Sequence, residues 1–195
     1  MNNIEVKMNN SDCAAYTGTV TVASYLGDRL IHKETHHNAG LNNLFKFIGS
    51  CLQGNWYEAK FNRPCKLVLL KEAEGENLNN PAITETYSTP LSKPDYWRTD
   101  YAVSNPIMYD TAASAEFNID EGKVSSSVTY HFRIPFLSLT SGTTIKKLML
   151  LPSIATDYSA DACAYFVLED AIKVPEAGKN FTVIIDWTLT FTNNE

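Results

Sequence analysis

What this sequence lacks narrows the field before anything else is read. No stretch approaches the roughly 18 to 20 consecutive apolar residues needed to span a bilayer, so no membrane partner is expected. The N-terminal text MNNIEVKMNNSDC holds no apolar run of signal-peptide length, which predicts a protein made in a cytoplasm. Basic residues are few and dispersed: 16 Lys and Arg stand against 22 Asp and Glu, for a net charge of −6. A chain that grips phosphates gathers Lys and Arg on one face, and here they occur singly or in pairs such as Lys146 and Lys147. Nucleic acid is therefore not expected as a partner.

Chemistry-bearing motifs are missing as well. The four cysteines, Cys13, Cys51, Cys65 and Cys163, form no C-x-x-C pair. Neither a zinc site nor a disulfide framework is expected, and they read as small buried hydrophobes. There is no glycine-rich phosphate loop and no G-x-S-x-G elbow, so Ser138, Ser141 and His131 do not amount to a triad. No catalytic residue, no metal ligand and no cofactor is expected, and the chain is not expected to be an enzyme.

What is present is β-structure. Residues 181–192 read FTVIIDWTLTFT, with Phe181, Val183, Ile185, Trp187, Leu189 and Phe191 at every odd position. All but one of the even positions are polar. A period of two over this length is a strand with one buried face, because successive side chains leave a strand on opposite sides. The same alternation sends Val124, Val128, Tyr130, Phe132 and Ile134 one way, with Ser125, Ser127, Thr129, His131 and Arg133 the other way. Two β-branched runs, residues 16–26 and 29–35, flank Gly27-Asp28, a hairpin signal because glycine supplies the positive φ of a tight turn. Further strands are expected at residues 65–70, 114–120, 147–151 and 163–168, with an edge segment at 172–174.

Hydrophobic content of 44% over 195 residues suits one good core. The expected fold is mainly β, an antiparallel sandwich or jelly-roll-like domain of about eight or nine strands with one short amphipathic helix. That helix is expected over residues 41–52, where Leu41, Leu44, Phe45, Ile48, Cys51 and Leu52 mark one face. Asn38-Ala39-Gly40 reads as the break before it, with Asn38 as N-cap, and Gly54 reads as its stop. Residues 1–15 read as a polar N-terminal arm and 16–195 as a single sandwich domain. Within it, residues 71–110 form a long lobe punctuated by Pro81, Pro90, Pro94 and Pro106.

Three groups of residues invite functional readings. Tyr87, Tyr96, Trp97 and Tyr101 make the lobe a candidate surface for a subunit contact or a sugar, against the simpler alternative of packing within the chain. His32, His36 and His37 suggest a metal. On an extended segment, however, His32 and His36 share a face roughly 13 Å apart and His37 points away, so they read as exposed polar residues. Asp157, Asp161, Glu169 and Asp170 lack the two-residue spacing and the glycine of a calcium loop and read as solvated.

Asn38-Ala39-Gly40, the helix after it, Arg63-Pro64 and the apolar run Cys65-Lys66-Leu67-Val68-Leu69-Leu70 form a pattern similar to tailed-phage virion proteins. The closing text resembles the I-x-W-x-L-x-F-x-N strand of small β-sandwich proteins on phage capsids, collars and tail appendages, including those of crAss-like gut phages. Ile185, Trp187, Leu189, Phe191 and Asn193 carry that match. The two blocks cover about 45 residues. The resemblance implies a virion protein that works by contact. It would be an auxiliary or decoration protein of the capsid, or alternatively a tail, collar or head-fibre component. Other virion proteins, such as major capsid or tail and collar proteins, would be its partners, and it would be a homo-oligomer or sit on a symmetric particle. A carbohydrate-binding or host-adhesion module is the alternative from another class.

Overall fold

The computed structural model describes residues 15–40, 44, 47–48, 51, 53–57, 63–72, 102–104, 107–108, 111–120, 123–153, 163–177 and 180–192. Nine strands run in order: β1 (Ala15–Leu26), β2 (Arg29–Gly40), β3 (Pro64–Leu70), β4 (Ile107–Met108), β5 (Thr111–Asp120), β6 (Lys123–Pro135), β7 (Thr144–Pro152), β8 (Ala164–Lys173) and β9 (Phe181–Thr192). A 3-10 turn, Phe136–Ser138, follows β6. Every pairing is antiparallel. The protein is mainly β, in two sheets consistent with a β-sandwich, β2-β1-β9-β6-β5 and β4-β3-β7-β8, joined where the end of β2 pairs with β8 so that the strand order is continuous from β4 to β5.

The period-two strand β9 lies at the middle of the first sheet. Phe181 pairs with Leu26 and Thr192 with Ala15 along β1, while Thr182 pairs with Pro135 and Thr192 with Ser125 along β6. Because paired residues point the same way, the rows that cross β1, β9 and β6 at the middle of the sheet each have one character. Val20, Trp187 and Tyr130 make one inward row, and Val22, Ile185 and Phe132 the next. These pack with Leu67, Leu69, Leu148, Leu150, Phe166 and Leu168 of the second sheet in one core. The outward rows are polar: Thr19, Thr188 and Thr129 form one, with the last two hydroxyls hydrogen-bonded at 2.9 Å.

The second sheet is built differently. All of β3 except Lys66 is buried, and so is β7 from Lys147 to Pro152. An uninterrupted buried run means that both faces are covered, which is why CKLVLL shows no alternation. Val103, inside the span expected as a lobe, is buried in the core. Its N–H donates to the Leu69 carbonyl at 2.9 Å, and the Ser104 hydroxyl accepts from the Leu69 N–H at 3.1 Å.

Two local expectations need correction. Asn38-Ala39-Gly40 is no break, and Asn38 is no N-cap: β2 continues to Gly40. There the strand changes sheets, Asn38 still pairing with Gly18 of β1 while Ala39 pairs with Tyr165 and Gly40 with Ala164, so backbone bonds to β1 and β8 hold extended what local sequence marks as a stop. The runs at 163–168 and 172–174 are also not separate. They belong to one strand, β8, whose pairing with β7 shifts register near Lys147 and still matches Ile172 to Ile145. Of the expected helix, Leu44, Phe47, Ile48 and Cys51 are described and helical, Leu44 being fully buried in the core. Gly54 follows with φ of 69°, its N–H bonded to the Cys51 carbonyl at 3.1 Å, as a helix stop requires.

Candidate functional site

The alternation of β2 decides where its polar residues go. His32, Glu34 and His36 pair with Ser24, Val22 and Val20, so they face inward with the core, while His37 pairs with Thr19 on the outward face. On β1, β9 and β6 the same rows are almost wholly apolar. On β2 they are polar because the strand lies where the sheets part: the backbones of β2 and β8 pair only at Ala39–Tyr165 and Gly40–Ala164. The inward face of β2 thus carries a histidine–glutamate–histidine strip at the margin of the core.

The geometry divides the strip in two. His32 Nε2 lies 3.5 Å from Glu34 Oε2, and the Glu34 side chain is only 8% exposed. That separation is too long for a sound hydrogen bond. His36 instead leans on β8. Its ring stacks on Phe166 with centroids 5.8 Å apart, and its Nδ1 is 3.6 Å from Glu169 Oε1. Among the described residues, the buried side-chain atoms without a hydrogen-bond partner are His32 Nε2, Glu34 Oε1 and Trp187 Nε1. Each such group forgoes its water without compensation.

The expectation that His32 and His36 share a face and His37 points away describes the strand correctly. Treating them as exposed does not, since His32 and His36 are half-buried against the core. Glu34 was passed over, although its place midway between His32 and His36 was the signal for it. No group of three His, Cys, Asp or Glu side chains among the described residues is placed to hold a metal ion. Glu169 and Asp170 are exposed on β8. Asp157 and Asp161 lie outside the described residues, as do Tyr87, Tyr96, Trp97 and Tyr101.

A second titratable pair stands on the outward face. His131 Nδ1 is 2.7 Å from Asp186 Oδ1, joining β6 to β9 across 55 residues of sequence. The side chains are each about two-fifths exposed on an open sheet face, alongside Thr21 and Thr35, whose hydroxyls hydrogen-bond at 2.9 Å. A hydrogen-bonded His–Asp pair is part of a nucleophile-activating arrangement. Here it is set in a regular ladder of side-chain bonds between strands, where it ties neighbouring strands together.

Cys65 and Cys163 are buried, and neither is in a disulfide. Burial pushes both thiols up; Cys65 adds to the effect on Cys163, while Arg63 and Lys66 pull Cys65 part of the way back. Neutral buried thiols of this kind are inert. Compared with protein-family models, curated proteins and solved structures, the chain matches none. No described helix is long and apolar enough to cross a membrane.

Proposed function

We propose that this chain is a non-enzymatic structural protein of a tailed-phage virion, serving as an auxiliary or decoration protein of the capsid. The observation that carries the reading is a set of exposed apolar side chains at one end of the first sheet. Leu26, Leu30 and Ile31 are exposed at the β1–β2 turn, and Leu137 is 90% exposed just beyond β6. The register brings them to the same end, since Leu26 pairs with Phe181 and Pro135 with Thr182. Apolar residues scattered singly need no explanation, but several gathered at one tip of a rigid scaffold suit a contact surface. The closing strand and the Arg63-Pro64 block, with their likeness to small sandwich proteins of phage particles, add the kind of partner: a capsid subunit.

The test is to band intact particles of the encoding phage in a density gradient and measure the chain by mass spectrometry. Co-banding with emptied heads in fixed proportion to the major capsid protein is expected. Recovery with detached tails, or absence from washed particles, overturns the capsid assignment. A chain lacking residues 1–14 keeps β1 intact, since that strand begins at Ala15, and is expected to fold yet join particles poorly.

A further inference from the structure

The unpaired edges of these sheets are treated unequally. An edge strand presents a row of open backbone groups that invites another chain, and proteins blunt such edges by shortness, lysine, proline, bulges or inward charges. β4 is two residues long. β2, open over most of its length toward β8, carries the inward Glu34, the exposed Lys33 and an extra residue, Ile31, where its pairing with Ser24 and Tyr25 of β1 shifts register. β8 carries exposed Glu169, Asp170 and Lys173.

β5 has less of this: a register shift between Thr111 and Ser114 at its start, and the exposed Glu116. It is ten residues long, reads TAASAEFNID without lysine or proline, and pairs regularly with β6 from Ser114 to Asp120. Among the described residues nothing pairs with its far side. Phe117 stands in the core-facing row with Ser126 and Phe191, yet it is 66% exposed. A large aromatic on the inward side of a sheet, beside a regularly paired stretch of open edge, lacks a cover.

We propose that β5 is the seam of a twofold homodimer, in which the β5 strands of two copies pair antiparallel about Phe117 and join two five-stranded sheets into one. Charge selects the second copy and the register. A twofold axis perpendicular to the sheet passes through one residue, because only then do like faces match across the seam. Centred on Phe117, Glu116 faces Asn118 and Asp120 faces Ser114, so no acid meets an acid. Centring on Glu116 sets that residue against itself, and centring on Asn118 sets Glu116 against Asp120; like charges directly opposite are destabilising. Centring on Ala115 also separates the acids but leaves Phe117 opposite Ala113. Only the Phe117 register pairs the two exposed rings, and the resulting isologous interface closes on itself.

The test is the mass of the full chain by light scattering across a wide concentration range, with circular dichroism to confirm folding. The expected mass is twice the 21.8 kDa of one chain. Phe117→Lys is expected to return it to a single chain, and Leu137→Lys, at an exposed apolar position away from β5, to leave the dimer intact. Phe117→Cys is expected to give a disulfide-linked pair under mild oxidation, since directly opposed Cβ atoms lie about 4.5–5.5 Å apart. A single-chain mass throughout, a mass of three chains, a dimer that survives Phe117→Lys, or no cross-link through Phe117→Cys overturns the proposal. The dimer stands or falls independently of any place in a virion.

Discussion

His32 Nε2 and Glu34 Oε2 stand 3.5 Å apart on the inward face of β2, near enough to attract and too far to share a sound hydrogen bond. His32 Nε2 and the other oxygen of Glu34 are both buried without a partner. The strand has thus carried two polar groups into the margin of the core and satisfied neither.

Removing both groups should therefore help the fold. Replacing His32 by Phe and Glu34 by Leu together is expected to raise unfolding stability in urea by about 1–2 kcal/mol, because two uncompensated polar groups disappear at once. Glu34→Gln alone keeps a buried polar group and is expected to bring no gain. A double variant less stable than the parent would mean that the pair is satisfied in solution.

Trp187 separates shape from polarity. It is fully buried on β9, and its indole N–H lacks a partner. Trp187→Ala should cost about 3–5 kcal/mol through lost contacts and a cavity. Trp187→Phe keeps most of the ring and discards the orphan donor, so its cost is expected to stay under about 1.5 kcal/mol by the same urea measurement. Equal losses for the two variants would show that the N–H is bonded.

One strand pair, read on its two faces, yields a contrast. His131 and Asp186 are neighbours of Tyr130 and Trp187 on β6 and β9, but on the wet side. A half-exposed hydrogen-bonded pair in that setting is worth little, so His131→Ala is expected to cost no more than about 1 kcal/mol. A loss approaching that of Trp187→Ala would show that the outward face is covered by something in solution.

Alkali should weaken the fold through its thiols. Burial holds Cys163 and Cys65 above the ordinary 9.0, so the folded chain keeps protons that the unfolded chain releases. Their contribution is complete below pH 9.0 and is lost as pH rises above it, by at most about 1.4 kcal/mol per pH unit for Cys163. Urea midpoints at pH 8 and pH 10 check this: Cys163→Ala should flatten the decline, and an unchanged slope would refute the cause. In the native chain Cys163 should resist iodoacetamide at pH 8 and react once unfolded.

Much of the architecture could be read from spacing alone. Period two along residues 181–192 and 124–134 identified the strands and their inward residues, because the alternation of side chains along an extended backbone is a local fact. Gly27-Asp28 announced its hairpin for the same reason: Gly27 has a φ of 61°, a conformation that glycine adopts without steric cost. The helical stripe that includes Leu44 and Ile48 was visible on equally local grounds. At the candidate site, spacing put His32 and His36 on one face but carried no information about depth, so Glu34 between them drew no attention.

What neighbours a strand acquires is not local. Which strands flank β9, where β2 leaves one sheet for the other, and which faces of β3 and β7 are covered depend on pairings between distant residues. No sequence spacing encodes those pairings. Asn38-Ala39-Gly40 looks like a stop to any local rule and is extended because β1 pairs with Asn38 and β8 with Ala39 and Gly40. His131 meets Asp186, and Phe117 is left bare at an edge, through the order of strands in the sheet. The sequence by itself determined where the strands with a period of two run and which way their side chains point, since both follow from backbone geometry over a few residues. Only the tertiary structure decided which faces are wet and which edge is open, because burial depends on what packs from elsewhere in the chain.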